Sequence, residues 1–317
     1  MIRRRTLLTT ALAATAAIGL AACTDDGTDG GGASDGGGAS DGGGGGDPLA
    51  GVTVSEDLGA EPTVEFTAPL EITAAAAEVV VPGDGAKIAE GDYLISHNLY
   101  VDATTGDTLQ SWWQGAPPSG VSVTAENIGQ TALDVFTTMT VGSRFAMTGW
   151  QQGSDGQSYA LIQVGDVDHV VSPMRAEGEP GSPSGDYPAV TLADDGAPSL
   201  DGEPEGEPPT KTVIEELIVG GGDTARKGDY LTMQYTGWKW SDGSQFDSSW
   251  ERGAPFGFVL GQGQVITGWD ESLVDAAVGS QLMLVIPPSE AYGDQGELAG
   301  ETLIFVVDVL DAARPAD

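Results

Sequence analysis

"YTGWKWSDGSQFDSSWERGAPFGFVLGQGQVITGWDESL", residues 235–273, holds four of the chain's seven tryptophans and three of its seven phenylalanines. It contains no histidine, no cysteine and no obvious nucleophile; Asp247 and Arg252 stand among the rings. A hydrolase would need a base or a metal at such a place, whereas a pocket for an apolar ring needs what is present. "WSDGSQF" sets Asp242-Gly243 between two aromatic runs, a hairpin signal. "DYLTMQYTGW" before it and "ETLIFVVDVL" near the C-terminus read as strands, short and rich in β-branched and aromatic residues. A short helix is predicted from about Trp269 to Ala277, with Asp270 and Glu271 at its positive end and Gly279 suited to its termination. One helix against an antiparallel sheet makes an α+β domain.

Moving outward, the chain repeats itself. "EGDYLISHNLYVDATTGDTLQSWWQGAP" from Glu90 matches "KGDYLTMQYTGWKWSDGSQFDSSWERGAP" from Lys227. Gly91 and Gly228, Gly106 and Gly243, and the "VGS" triplets at Val141 and Val278 all keep one spacing of about 137 residues. "ALIQVGDV" from Ala160 matches "TLIFVVDV" from Thr302 with a slightly larger one, about 142. The leaders also correspond, "VTVSEDLGAEPTV" at Val52 and "VTLADDGAPSL" at Val190. The expected domains are residues 48–175 and 186–317, with a linker over 176–185 in "GEPGSPSGDYP".

The 317 residues carry 12 Lys plus Arg against 48 Asp plus Glu, a formal net charge of −36. Such a surface repels phosphate backbones, so no nucleic-acid partner is expected. The single cysteine, Cys23, excludes an intrachain disulfide. It follows a basic start (Arg3, Arg4, Arg5), an apolar run and Leu20-Ala21-Ala22. Leu20-Ala21-Ala22-Cys23 resembles a bacterial lipobox, so residues 1–23 read as a lipoprotein signal in which Cys23 is lipidated, becomes the mature N-terminus and anchors the protein outside the cytoplasm at the cell membrane; the alternative is an ordinary secretory signal with an incidental cysteine. Arg4-Arg5-Thr6-Leu7-Leu8 fits twin-arginine export as well as the general route. Residues 24–47, nearly all Gly, Asp, Ser and Thr, cannot bury a core and read as a disordered, flexible tether. Its reach is about 25–30 Å.

From about Val213 onward the second copy resembles the FKBP-type peptidyl-prolyl cis-trans isomerases. The motifs are "YTGW", "DGSQFDSSWERGAPFGFVLGQGQVITGWDESL", "VGSQLMLVIPPSEAYGDQG" and "TLIFVVDVL", in order and at near-family spacing. The resemblance implies a bent antiparallel sheet wrapped around one short helix, in two FKBP-like domains. It also implies a pocket. Tyr235, Asp247 and Tyr292 take the catalytic roles, with Asp247 steadied by Tyr235 and Arg252. Phe246, Arg252, Phe256, Val265, Ile266, Trp269 and Phe305 bind substrate; Trp269 is the floor for a proline ring and the Ile266 N–H meets a substrate carbonyl. No cofactor and no metal are implied. The partners are proline-containing unfolded or exported polypeptides and macrolide immunosuppressants. The chain departs from the family after Tyr292, where "GDQGELAGE" is short and lacks an apolar, proline-bearing tip, and at Gln264, where many members carry an acid.

In the first copy Asn98 stands for Tyr235, Leu109 for Phe246, Gln110 for Asp247, Ala132 for Trp269 and Gln163 for Phe305. That copy reads as a degenerate domain with the scaffold kept and the site lost. His97 and His169 suggest no metal site. The functional expectation is an isomerase acting on X–Pro bonds of exported proteins; the alternatives are a proline-segment binding or chaperone module using the same pocket, and a structural lipoprotein.

Overall fold

The computed structural model describes Leu49 and residues 51–152 and 156–316. Cys23, the signal-like residues 1–23 and the Gly/Asp-rich stretch 24–47 lie outside the described residues. Two compact units divide the chain between Val171 and Ser172. No helix among the described residues is long and apolar enough to cross a membrane.

The first unit opens with a small hairpin, β1 (Thr53–Val54) and β2 (Val64–Glu65). There follow β3 (Ala76–Val81), β4 (Tyr93–Asp102), β5 (Thr108–Ser111), β6 (Ser119–Ser122), α1 (Ala125–Phe136), β7 (Arg144–Gln152) and β8 (Ser158–Val170). The sheet runs β3-β7-β8-β4-β5, with β6 also on β4. The second unit has β9 (Gly178–Pro180), a hairpin of β10 (Ala189–Leu192) and β11 (Pro198–Asp201), then β12 (Val213–Gly220), β13 (Tyr230–Lys239) and β14 (Gln245–Ser248). It continues through α2 (Ser249–Arg252), β15 (Phe256–Val259), α3 (Thr267–Ser272), β16 (Gln281–Ile286) and β17 (Leu303–Ala313). Its sheet repeats the order of the first, β12-β16-β17-β13-β14, with β15 on β13.

The duplication reaches single hydrogen bonds. Gly83 N–H donates to Ser143 Oγ at 2.8 Å, and Gly220 N–H to Ser280 Oγ at 2.9 Å. Asp92 Oδ2 accepts from Ala89 N–H, and Asp229 Oδ2 from Arg226 N–H. All sheet pairings within each copy are antiparallel.

Each sheet is covered on both faces, which explains why "TLIFVVDVL" is apolar at almost every position. On β17, Leu303, Phe305, Val307 and Val309 point to one core, with Trp269 and Leu273. The intervening Ile304 and Val306 point to another, with Trp238, Trp240, Met283 and Val285. That second core is closed by the leader: Tyr187, Val190 and Leu200 pack on it. In the first copy Leu49, Val52, Val54 and Val64 do the same over Val101, Ile162 and Val164. The matching leaders are thus a third layer, which the strand-and-helix pattern alone did not reveal.

Three expectations are corrected. The stretch 176–185 is not a free linker: β9 pairs with β12 through Pro180–Ile218 and Glu179–Val219. Ser184 donates from both N–H and Oγ to Glu215. The helix predicted from Trp269 to Ala277 is α3, Thr267–Ser272. It stops early because the following segment pairs sideways: Asp275, in a left-handed conformation (φ 66°), donates its N–H to Ala225 O, and Ala277 bridges Thr224. Gly279 serves the turn into β16, donating to Val309 O. The first copy's helix is not short; α1 spans twelve residues, with a non-helical break at Gly129 (φ 78°, ψ 157°).

Candidate active site

The second copy carries an open pocket of about 450 Å³ lined by Tyr235, Phe246, Asp247, Phe256, Val265, Ile266, Trp269, Tyr292 and Phe305. Nine of the ten pocket residues named from sequence are therefore brought together. Gln264, Thr267 and Ala291 complete the lining.

Strand alternation builds the walls. Tyr235 on β13 and Phe305 on β17 share the inner face, and Gly237 lies two residues beyond Tyr235 on the same face. A Cβ on Gly237 would sit 2.7 Å from Phe246 Cζ and 2.8 Å from Phe305 Cε1. Glycine is what lets these two rings meet, 5.6 Å apart and nearly perpendicular. Trp269, on α3, is 4% exposed and forms the floor. Its ring centroid lies 5.0 Å from both Tyr235 and Phe305, edge to face. Phe258 on β15 backs it at 6.3 Å, a support the motif reading did not single out. The helix approaches the sheet closely at Gly268, where a Cβ would fall 2.5 Å from Ile286. Ile266 precedes the first helical residue: its carbonyl accepts from Trp269 N–H and Asp270 N–H, while its own N–H lies outside the helix's bonding. Asp270 does more than sit at a helix start, since its carboxylate accepts the N–H groups of Gly261 and Gly263 and folds the preceding loop.

The polar corner is a triangle. Tyr235 donates its hydroxyl to Asp247 Oδ2 at 2.5 Å, Arg252 donates to Asp247 Oδ1, and Arg252 Nη2 donates to the Tyr235 oxygen at 2.9 Å. The Arg252 guanidinium also lies over the Tyr235 ring, 5.3 Å from its centroid. Arg252 stands behind Asp247 and bonds it, as expected of its steadying role, and is not itself among the lining residues, where a substrate contact had also been expected. Burial, reinforced by the hydrogen bond to Asp247, pushes the Tyr235 hydroxyl up to about 12, so it remains a donor at any physiological pH. Burial and the nearby Asp247 charge also raise Tyr292, which keeps its hydroxyl protonated at the cavity mouth. Among the described residues no group of three or more His, Cys, Asp or Glu side chains could hold a metal.

The same place in the first copy is filled differently. Asn98 donates to Ser96 Oγ at 2.9 Å and accepts from Gln163 Nε2 at 2.9 Å, a polar line on the inner face. The Phe145 ring crosses Gly165, where a Cβ would lie 2.3 Å from Phe145 Cζ and 2.5 Å from Asn98 Oδ1. Ala132 is fully buried, and Leu109, the counterpart of Phe246, is 56% exposed. His97 stacks on Trp112 at 3.6 Å, and His169 Nδ1 lies 2.8 Å from Asp168.

A family model for FKBP-type peptidyl-prolyl cis-trans isomerases matches residues 221–310. The FK506-binding protein of Streptomyces anulatus is 44% identical over 112 residues, 34% of this chain and 90% of that protein. A probable FK506-binding protein of Corynebacterium glutamicum is 40% identical over 112 residues, 34% of this chain and 93% of that one. A peptidyl-prolyl cis-trans isomerase of Arabidopsis thaliana is 49% identical over 90 residues, 27% of this chain and 55% of that protein. The chain thus belongs to the FKBP-type peptidyl-prolyl cis-trans isomerase family, and the aromatic box lies within the residues that the family model matches.

Proposed function

We propose that the second copy accelerates X–Pro rotation in exported polypeptides by desolvating the amide and binding its twisted form. The barrier to rotation is about 18–20 kcal/mol and is mostly lost resonance. A planar amide is more polar than a twisted one, so transfer into an apolar box favours the twisted state. That is differential binding of the transition state and needs no nucleophile. A ten-thousandfold acceleration corresponds to about 5.5 kcal/mol. Desolvation and a few directed contacts are of that size. The proline ring lies on Trp269, the Ile266 N–H and the Tyr292 hydroxyl each hold a substrate carbonyl, and Asp247, held by Tyr235 and Arg252, faces the rotating one. The observation that carries this reading is the edge-to-face packing of Tyr235, Trp269 and Phe305 beside a single ordered carboxylate.

The same box would take macrolide ligands of the FK506 type. The first copy, lacking an aromatic floor, would be silent, and a lipid on Cys23 would hold both copies at the outer face of the membrane. The test is cis-to-trans isomerisation of a Leu-Pro peptide by the full chain. Asp247→Ala should lower kcat/KM about a hundredfold, in line with loss of a directed transition-state contact. Turnover no faster than the uncatalysed rate sinks the mechanism. Cys23→Ser should move the protein from the membrane to the soluble fraction; retention on membranes in high salt refutes the anchor.

A further inference from the structure

β13 has a gap along one edge. It pairs with β15 through Tyr230–Met233 and with β14 through Thr236–Trp238. Gln234 and Tyr235 have no strand partner on that side, although a buried backbone N–H requires an acceptor. Ser249 fills the gap. Its Oγ accepts the Tyr235 N–H at 2.7 Å and donates to Gln234 Oε1, with Tyr235 O a second acceptor at 3.2 Å. Ser249 is fully buried and Gln234 is 5% exposed.

Ser249 is also the first residue of α2, whose last residue is Arg252. A four-residue helix has no stability of its own. Ser248, before it, makes no capping bond to it and instead pairs its hydroxyl with Thr236 Oγ1 at 3.0 Å. The tie from Ser249 to β13 therefore sets where the turn lies, and with it how Arg252 reaches Tyr235 and Asp247. The first copy offers the contrast. Trp112 stands at the start of the corresponding turn, stacked on His97, which occupies the place of Gln234. Both turns close on a left-handed glycine, Gly115 and Gly253, but the first copy's is one residue shorter and has no counterpart of Arg252.

We infer that Ser249, with Gln234, is a positioning residue for isomerisation: it fixes α2 on β13 so that Arg252 and Tyr235 hold Asp247 in its working orientation. This rests on the mechanism proposed above and adds a residue that touches no substrate. The test compares the full chain with Ser249→Ala, Asp247→Ala and the double variant, in Leu-Pro turnover and thermal unfolding. Ser249→Ala should lower kcat about tenfold, the size of one buried hydrogen bond, with KM nearly unchanged. In the Asp247→Ala background it should cost no more than about twofold, because the group it positions is gone. Unchanged turnover in Ser249→Ala overturns the inference, as does a full tenfold loss in the Asp247→Ala background, which would mark a structural role alone. Should Ser249→Ala not fold, Ser249→Cys keeps the side-chain volume while weakening every bond that Oγ makes to β13 and carries the test: about a threefold loss is expected, absent when Asp247 is Ala, and no loss overturns the inference. An inactive unaltered chain would instead refute the mechanism on which the inference stands.

Discussion

At Tyr235 the second copy presents a phenol to Asp247 and, nearly perpendicular, to the Trp269 ring; at Asn98 the first presents an amide to Ser96 and Gln163. Both residues occupy the same inner-face position of equivalent strands, in sheets of the same order. On the outer face the copies differ again. The first buries Arg144 fully, bonded to Asp166 through Nε at 2.6 Å and Nη2 at 2.8 Å, with further bonds to Ser55 O and Ala60 O of its leader. The second has Gln281 and Asp308 there; Asp308 accepts from Gln281 Nε2 at 2.8 Å and from the Ala176 N–H at 2.7 Å. One scaffold thus carries two polar solutions on its outer face and either a polar line or an aromatic box on its inner face. On one conserved backbone pairing the inner and outer faces vary independently, because they use alternate residues of the same strands.

The outer-face contrast can be broken at a single position. Asp166→Asn should destabilise the first copy by about 3–5 kcal/mol, since it strands a fully buried guanidinium. Chemical denaturation of the full chain, followed at the first transition affected, measures it; a change under about 1 kcal/mol would show that the leader carbonyls suffice to hold Arg144.

On the inner face, Trp269→Ala makes the second copy read as the first does at Ala132. A loss of about 3–5 kcal/mol of stability is expected from the cavity left by the ring. Turnover should fall by more than a hundredfold. Retention of most activity would show that the floor can be supplied by Tyr235 and Phe305 alone.

Asp308→Asn should act oppositely to Asp166→Asn. Burial raises the Asp308 carboxyl to about 6, partly offset by its bonds from Ala176 and Gln281. Its unfolded value is about 3.9. The folded form therefore binds the proton more tightly: the associated stability is fully present below about pH 4 and is lost as pH rises through about 6. At pH 8 the ionised form costs the second copy on the order of 3 kcal/mol, an upper figure. Asparagine should recover about 2 kcal/mol at pH 8 and little at pH 4, and should flatten the difference in stability across that window. Equal effects at both pH values would contradict the assignment.

A last contrast concerns the wall of the box. Gly237→Ala should cost about 1–3 kcal/mol, because its Cβ would press on Phe246 and Phe305. KM for a Leu-Pro peptide should rise as the rings part. An unchanged KM would show that Phe246 moves aside without altering the cavity.

The linear order of residues determined the repeat, the hairpin at Asp242-Gly243, the strands and the membership of the aromatic box. Those signals are local or positional: turn glycines, alternation, and motifs kept at a constant spacing. It also determined that the first copy has no such box, because five substitutions remove its rings and its acid. Tertiary structure alone decided the rest. Nothing local marks "VTLADDGAPSL" as a cover for Trp238 and Trp240, or residues 178–180 as a strand on β12. Nothing near Ser272 ends α3; the helix stops because residues 275 and 277 find partners at Ala225 and Thr224, some fifty residues earlier. Arg252 reads as a pocket residue from its motif, yet it lies behind Asp247, held there by a turn that Ser249 fastens to β13. Each of these depends on which distant group satisfies a buried polar atom or covers an apolar face, and that pairing exists only once the sheet has closed.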